Sequence, residues 1–342
     1  MNEKELTFGI VGSGSIAGFH AACIGELDHC SLVAVSSSSP ERAQKAEEKF
    51  KVPAYSDFRK MMAEKKLDII CICNESGGHL EPVLEAASRG IHVLTEKPME
   101  VTLERADKMI QACQSAGVKL GCIFQNRFGE AFQQVKRAVE EGKLGKLLMG
   151  NAYIKWFRDD SYYKGSQWRG TIKGDGGAAL INQGIHTIDL LLHLFGGVES
   201  VYGQIGTMTH AIEGEDVGTA ILSFNSGAMG TIQGSTSFFP GYPERLEVYG
   251  EKGSIVLEGG KISAWNIQDM ESPVEISSLS LGSGASNPMA ISHQLHLLQF
   301  KDFVEAVRLD REPRIDGKEG RKALELILAI YESSKKKGRI FL

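Results

Sequence analysis

The sequence predicts an α/β protein of two domains: a doubly wound parallel sheet over residues 1–125, then a second α/β domain over 126–342 whose sheet is mainly antiparallel. Three observations lead there. Short apolar strand patterns alternate with helical patterns through the first domain. A glycine-rich turn joins the first strand to the first helix. From Val198 to about Trp265 that alternation gives way to strand and turn, with runs such as Thr219–Phe224 and Met229–Gly234 and no βαβ rhythm.

The first strand, Leu6–Val11, is short and apolar, and is followed at once by Gly12-Ser13-Gly14-Ser15-Ile16-Ala17 and a helical pattern to about Leu27. This is G-x-G-x-x-A between strand and helix, where glycines permit the turn and let a pyrophosphate approach the helix N-terminus. Glycine turns before helices are also common without a ligand. The weight therefore lies on Ser31–Val35, a second strand at the separation a βαβ unit requires. Asp68–Ile72, Ile91–Leu94 and Lys119–Ile123 continue the rhythm, and a Rossmann sheet is the economical arrangement. Gly12, Gly14, Ser15 and Ile16 are its candidate dinucleotide contacts.

An acidic residue at the tip of the second strand would hold an adenosine ribose 2′-hydroxyl, whereas a 2′-phosphate needs neutral donors and a cation. Here the tip reads Ser36-Ser37-Ser38-Ser39, then Pro40-Glu41-Arg42, with no carboxylate at the strand end. Ser39 as N-cap and Pro40 as first helical residue account for one serine of the four. The rest favours NADP over NAD, with Ser37, Ser38 and Arg42 as the discriminating group. Thr95-Glu96-Lys97-Pro98 ends another strand. A residue before proline is held extended, so Lys97 is expected to project past the strand toward the dinucleotide as a candidate catalytic group.

At 342 residues the chain exceeds one ordinary core. Lysine and arginine number 38 against 43 acidic residues, a net charge of −5 that gives no electrostatic case for nucleic acid or an anionic membrane. Met1–Glu5 lacks an apolar signal region and no run approaches membrane-spanning length, so a cytoplasmic location is expected. Six cysteines (Cys23, Cys30, Cys71, Cys73, Cys113 and Cys122) all lie in the first domain. Cys71-x-Cys73 has no second ligand pair and reads as packing, and all six are expected to be reduced thiols.

In the second half a helical stretch follows Asn126-Arg127-Phe128 to about Glu140, and strand character runs from Leu147 through Trp156. A polar, aromatic segment spans Phe157–Gly177, and Ala178–Phe195 reads as one helix stopped by Gly196-Gly197. A glycine- and serine-rich loop around Leu281–Pro288 precedes two closing helices, roughly His293–Arg308 and Lys318–Lys337. Asn182 and His186 stand i, i+4 and so share a helix face. Histidine titrates near neutrality and exchanges protons with hydroxyls, although a lone helical histidine is more often a core or surface residue. A zinc site from His186, Asp189 and His193 lacks the H-E-x-x-H arrangement and a cysteine cluster, and no metal is expected.

The order G-x-G-x-x-A, Glu96-Lys97-Pro98, Gly184-Ile185-His186-Thr187-Ile188-Asp189, Gln299-Phe300-Lys301-Asp302-Phe303 and a final Ala323-Leu324-Glu325-Leu326 helix resembles the Gfo/Idh/MocA oxidoreductases over nearly the whole chain. The resemblance implies a Rossmann domain followed by an α/β domain whose large open sheet builds a homodimer or homotetramer. It further implies hydride exchange between a nicotinamide cofactor, NADP or NAD, and a hydroxyl-bearing carbon of a sugar, nucleotide sugar or cyclitol. Lys97 and the neighbouring Glu96 would lie at the nicotinamide, and His186 would act as acid and base. Asn74–His79 is similar to the family's Thr-Pro-Asn-x-x-His loop under the cofactor, strictly so only at the histidine, which makes Asn74, Ser76 and His79 candidate contacts with Asn126. Arg127, Tyr163, Arg169 and Asn182 are the candidate substrate ligands.

Two departures stand out. Many sugar and inositol dehydrogenases of the family carry Asp where Asn182 stands, so proton transfer falls on His186 and Lys97, and the serine run looks like the NADP-using members. Tyr162-Tyr163, Trp168-Arg169-Gly170-Thr171, Asp175-Gly176-Gly177 and Asn182-Gln183 look instead like the nucleotide-sugar dehydrogenases acting on UDP-aminosugar acids. Trp168 and Arg169 are thus candidate cofactor or substrate contacts, or else an aromatic cap with a surface arginine. The alternative function is a non-catalytic dinucleotide-binding sensor, against which the retention of both Lys97 and His186 argues.

Overall fold

The computed structural model describes residues 5–271, 285 and 293–342. The predicted loop at Leu281–Pro288 lies outside the described residues except for Ala285. Two compact units divide the chain. One comprises the residues up to Gln125 together with His293–Arg321, and the other the described residues from Asn126 onward together with Lys322–Leu342.

The first unit is built on six parallel strands, β1 (Leu6–Val11), β2 (Cys30–Ser36), β3 (Ala54–Tyr55), β4 (Ile69–Ile72), β5 (His92–Thr95) and β6 (Leu120–Cys122). Their order is β3-β2-β1-β4-β5-β6, which reverses direction between β1 and β4. The connections are α1 (Ser15–Gly25), α2 (Pro40–Phe50), α3 (Phe58–Glu64), α4 (Leu80–Ser88) and α5 (Leu103–Ala116). Gly12 has a φ of +101°, and a Cβ there would meet the Cys73 carbonyl oxygen at 2.5 Å, so only glycine fits between the ends of β1 and β4.

Residues 293–321, assigned from sequence to the second domain, return to the first unit. The reason is the apolar face of a later helix: Leu297, Phe300, Phe303 and Val304 share one core with Phe8, Ile10 and Ile24, and the Phe300 ring stacks on Phe8 at 6.4 Å. Gln299 also covers the edge strand β6, donating to the Cys122 carbonyl at 2.7 Å and accepting from the Phe124 N–H at 3.0 Å.

The second unit begins with α6 (Glu130–Glu140) and strand β7 (Leu147–Lys155), then a short α7 (Asp160–Lys164) and the central α8 (Ile185–Phe195). Strands β8 (Val198–Gly206), β9 (Val217–Phe224), β10 (Met229–Ser235), β11 (Arg245–Gly250), β12 (Gly253–Glu258) and β13 (Lys261–Ile267) follow. After the returning helix α9 (Gln294–Arg308) come α10 (Gly317–Lys336) and β14 (Ile340–Phe341). The eight-stranded order is β13-β12-β11-β7-β10-β9-β8-β14, with β7 and β10 parallel and the other pairs antiparallel. Period-two alternation sends Ala220, Leu222, Phe224 and Ile232 inward and leaves Tyr202, Ile221 and Met229 exposed on the opposite face. Among the described residues no helix is long and apolar enough to cross a membrane.

The helix expected at Ala178–Phe195 is divided. Ala179–Gly184 is π-helical, and α-helix starts at Ile185. Buried Glu215 gathers the entry of this segment: its carboxylate accepts the N–H groups of Ala178 (3.0 Å) and Leu180 (2.7 Å), and its carbonyl accepts that of Ala179. Short π stretches recur at functional sites.

Candidate active site

In the first unit, the glycine turn, the serine run, the Asn74 loop and Lys97 each follow the carboxyl end of a parallel strand, β1, β2, β4 and β5 respectively. In such sheets ligands bind at that edge, where the strand order reverses. Gly14 caps α1 without a side-chain bond, which leaves the first-turn N–H groups at Ser15 and Ile16 uncapped by side chains, and a Cβ on Gly14 would touch nothing within 4 Å. Ser13 and Ser37 hydroxyls lie 2.8 Å apart, and Arg42 Nη1 donates to Ser38 Oγ at 3.2 Å, so the residues singled out at the β2 tip fall into two hydrogen-bonded pairs. Ser39 caps α2 through the Arg42 N–H, with Pro40 first in the helix.

The Asn74 loop is held from within. His79 is buried, its Nδ1 lying 3.1 Å from the Met99 carbonyl and its Nε2 3.3 Å from that of Asn74, so it fixes the loop and is not offered to a ligand. Ser76 is buried in the same turn. Asn74 Nδ2 donates to the Gly78 carbonyl at 2.8 Å, while its Oδ1 is buried with no hydrogen-bond partner among the described residues. A buried acceptor of that kind calls for a donor. An open glycine cradle, an uncapped helix start and this orphaned oxygen fit a dinucleotide.

Glu96 also turns inward. Its Oε1 is 2.7 Å from His20 Nε2 and 3.8 Å from His296 Nε2, and its Oε2 accepts the Lys97 N–H at 3.2 Å. His20 Nδ1 in turn meets Cys73 Sγ at 3.4 Å. Burial alone would raise the Glu96 carboxyl, but the bond and charge of His20, with His296 and Lys97, hold it at about 2. Burial presses His296 down to about 4, against the pull of Glu96. A histidine depressed in the fold takes its proton more readily when unfolded, so stability is lost as pH falls from about 6.5 through about 4. Glu96 adds a further loss from about 4.5 toward 2. His296→Phe is expected to flatten the first of these slopes in urea midpoints measured from pH 7 to 4, and an unchanged slope would refute the assignment. Lys97 itself is half-buried directly after β5, joined to Pro98 by a cis peptide bond.

In the second unit, Arg127 Nε and Nη2 fork onto Asp189 at 2.8 and 2.6 Å, both residues being buried. The proposed substrate ligand is thereby tied to α8, one turn beyond His186. Asn126, beside it, is half-buried, and His186 is half-buried in the first turn of α8. Asn182 Nδ2 donates to Asp175, and its Oδ1 accepts from Gln183 Nε2 at 2.7 Å. The carboxylate missing at position 182 is thus present one hydrogen bond away. Tyr163 is buried, its hydroxyl donating to Thr236 Oγ1 at 2.8 Å. Its neighbour Tyr162 is half-buried, with the Arg169 guanidinium 4.3 Å above its ring and 5.7 Å from that of half-buried Trp168. The buried Arg158 was missed by sequence reasoning. Tyr162, Asp175 and Gln183 stood in the block that resembles the nucleotide-sugar dehydrogenases, without an individual role. Among the described residues, no three His, Cys, Asp or Glu side chains group to hold a metal.

Residues 6–124 match the model of the oxidoreductase family with an NAD-binding Rossmann fold, and residues 132–256 match the GFO/IDH/MocA C-terminal domain. The chain belongs to the Gfo/Idh/MocA family. It is 33% identical to the WlbA dehydrogenase from Bordetella pertussis, solved with NADH and UDP-GlcNAcA, covering 99% of each chain with a TM-score of 0.89. The corresponding enzyme from Chromobacterium violaceum, with the same ligands, is 30% identical at a TM-score of 0.90, over 100% of this chain and 97% of that one. Myo-inositol 2-dehydrogenase from Thermotoga maritima is 29% identical, with 97% of both chains covered. The Gfo/Idh/MocA chain described here is an NAD(P)-dependent oxidoreductase acting on CH–OH groups.

Proposed function

We propose that this oxidoreductase acts on a nucleotide sugar bearing an acidic group, with NADP as the favoured dinucleotide. The observation that carries the substrate class is the full-length similarity, at 33% and 30% identity, to two dehydrogenases solved with UDP-GlcNAcA. The guanidinium groups of Arg158 and Arg169 on either side of the tandem tyrosines suit an anionic substrate. Those two structures hold NADH, so the NADP preference rests on Ser37, Ser38 and Arg42 alone.

A bound nicotinamide would supply the hydride acceptor for the carbinol carbon. Lys97 donates a hydrogen bond and positive charge to the hydroxyl oxygen, favouring the developing alkoxide. His186 accepts the hydroxyl proton, and in reduction its imidazolium returns one. Gly12, Gly14, Ser15 and Ile16 bind the pyrophosphate side, and Asn182 orients the sugar.

The test follows nicotinamide absorbance with UDP-N-acetylglucosaminuronate, UDP-N-acetylglucosamine and myo-inositol, each with NADP and NAD. Turnover of the acidic nucleotide sugar is expected to exceed that of the other two, and a preference for the cyclitol would reverse the reading. Arg42→Ala should raise the KM for NADP roughly tenfold, the worth of a charge-assisted hydrogen bond, and leave that for NAD nearly unchanged. Equal effects on both would leave Arg42 no part in the choice.

A further inference from the structure

Hydrogen-bond direction separates the roles of the two adjacent tyrosines. An arginine only donates and a carboxylate only accepts. Arg158 Nε and Nη2 both reach Gln183 Oε1, at 3.1 and 2.6 Å, so the amide oxygen of Gln183 faces Arg158 and its nitrogen faces away. At the other end Asp175 Oδ1 accepts Asn182 Nδ2, which turns Asn182 Oδ1 toward Gln183 Nε2. Asp175 Oδ2 is held by the Gly170 N–H at 2.9 Å. Two buried amides are thus locked from both ends, between a cation and an anion. The remaining hydrogen of Gln183 Nε2 goes to Tyr162 Oη at 2.8 Å.

Tyr162 is therefore an acceptor in this chain, and no acceptor for its own hydroxyl hydrogen lies among the described residues. Its ring lies under the Arg169 guanidinium at 4.3 Å and within 5.5 Å of that of Arg158, and Arg169 Nη1 is anchored on the Tyr162 carbonyl at 3.2 Å. A donor flanked by two positive groups selects a negative acceptor. Tyr163 has the opposite character, buried and already donating to Thr236.

We propose that Tyr162 Oη, oriented by the Arg158–Gln183–Asn182–Asp175 relay, is the group that recognises an oxyanion of the substrate, and that Tyr163, the tyrosine favoured from sequence, is a packing residue. The proposal rests on the acidic nucleotide-sugar reading above, and the shared chemistry is a sugar carboxylate or a nucleotide diphosphate. Calorimetric titration of the enzyme saturated with oxidised cofactor separates binding from turnover, with UDP, glucuronate and glucose as probes. Tyr162→Phe is expected to weaken one of the two anions about tenfold, to leave glucose binding unchanged, and to melt near the wild-type temperature. A loss confined to UDP assigns the diphosphate, and one confined to glucuronate assigns the carboxylate. Tyr163→Phe should bind both anions as the wild type does. The proposal is overturned if the two variants bind anions alike, if Tyr162→Phe weakens glucose equally, or if the wild type binds neither anion more tightly than glucose. Anion binding through Tyr162 without turnover of UDP-N-acetylglucosaminuronate would instead fault the proposed substrate and leave the recognition role standing.

Discussion

His186→Ala is expected to lower kcat by ~10²- to 10⁴-fold, the usual loss when a positioned acid or base is removed. Because the proton moves only in the transition state, KM for the sugar should change little, so kcat and kcat/KM fall together. The limb of the pH–rate profile that reports the free base should vanish with it. Lys97→Ala is expected to cost a similar factor, since it withdraws a fixed positive charge from the developing alkoxide. The two should differ in pH dependence, because the lysine variant keeps the histidine limb. Asn182 stands in the position of a carboxylate, and Asp175 is engaged by the Asn182 amide and the Gly170 N–H, so neither is expected to replace His186 as base. Retention of kcat within about threefold in either variant would remove that residue from the mechanism.

Arg127→Met is expected to destabilise the protein by about 3–5 kcal/mol, because it strands the Asp189 carboxylate, 1% exposed, without its forked partner. Asp189→Leu should cost about as much by stranding the guanidinium. The double variant Arg127→Met/Asp189→Leu should lose distinctly less than either single one, since a well-packed apolar pair avoids the desolvation of both charges. Chemical denaturation of the four proteins measures the coupling. Single losses below about 1 kcal/mol would place the pair with exposed ion pairs in energetic weight. Activity offers a second readout: Asp189 lies one turn beyond His186 on α8, so both single variants should also loosen the histidine.

Much of the first unit was legible because its signals are local. Parallel strands buried on both faces read as apolar runs, and Gly12 and Pro98 mark their ends by covalent geometry. Lys97 and His186 stood out for the same reason. What escaped was set by distant partners. The amphipathic face of α9 announced that it is buried, and nothing in its spacing said against which sheet. The π turn at Ala179–Gly184 was invisible because a side-chain pattern does not distinguish i+4 from i+5 backbone bonding, and the N–H groups at its entry are held by the distant Glu215. Glu96 sat in a motif that suggested a ligand contact, yet its carboxylate answers to His20 and His296, which the sequence does not link to it. Of the two adjacent tyrosines, the sequence reading named Tyr163 as the substrate ligand. What distinguishes the two hydroxyls is their partners, Thr236 for Tyr163 and Gln183 for Tyr162, which lie far from them in sequence.

The return of residues 293–321 to the first unit bears on how the chain is made. A ribosome that has delivered everything through Gln125 has produced all six parallel strands and still withheld Phe300 and Phe303, which close the core over Phe8. The nascent sheet must wait with an apolar face uncovered until the second unit has been synthesised, and β14, which extends the other sheet, arrives later still. Domain-by-domain folding in order of synthesis is thus denied to this molecule, because each of its units takes in a segment made after residue 292.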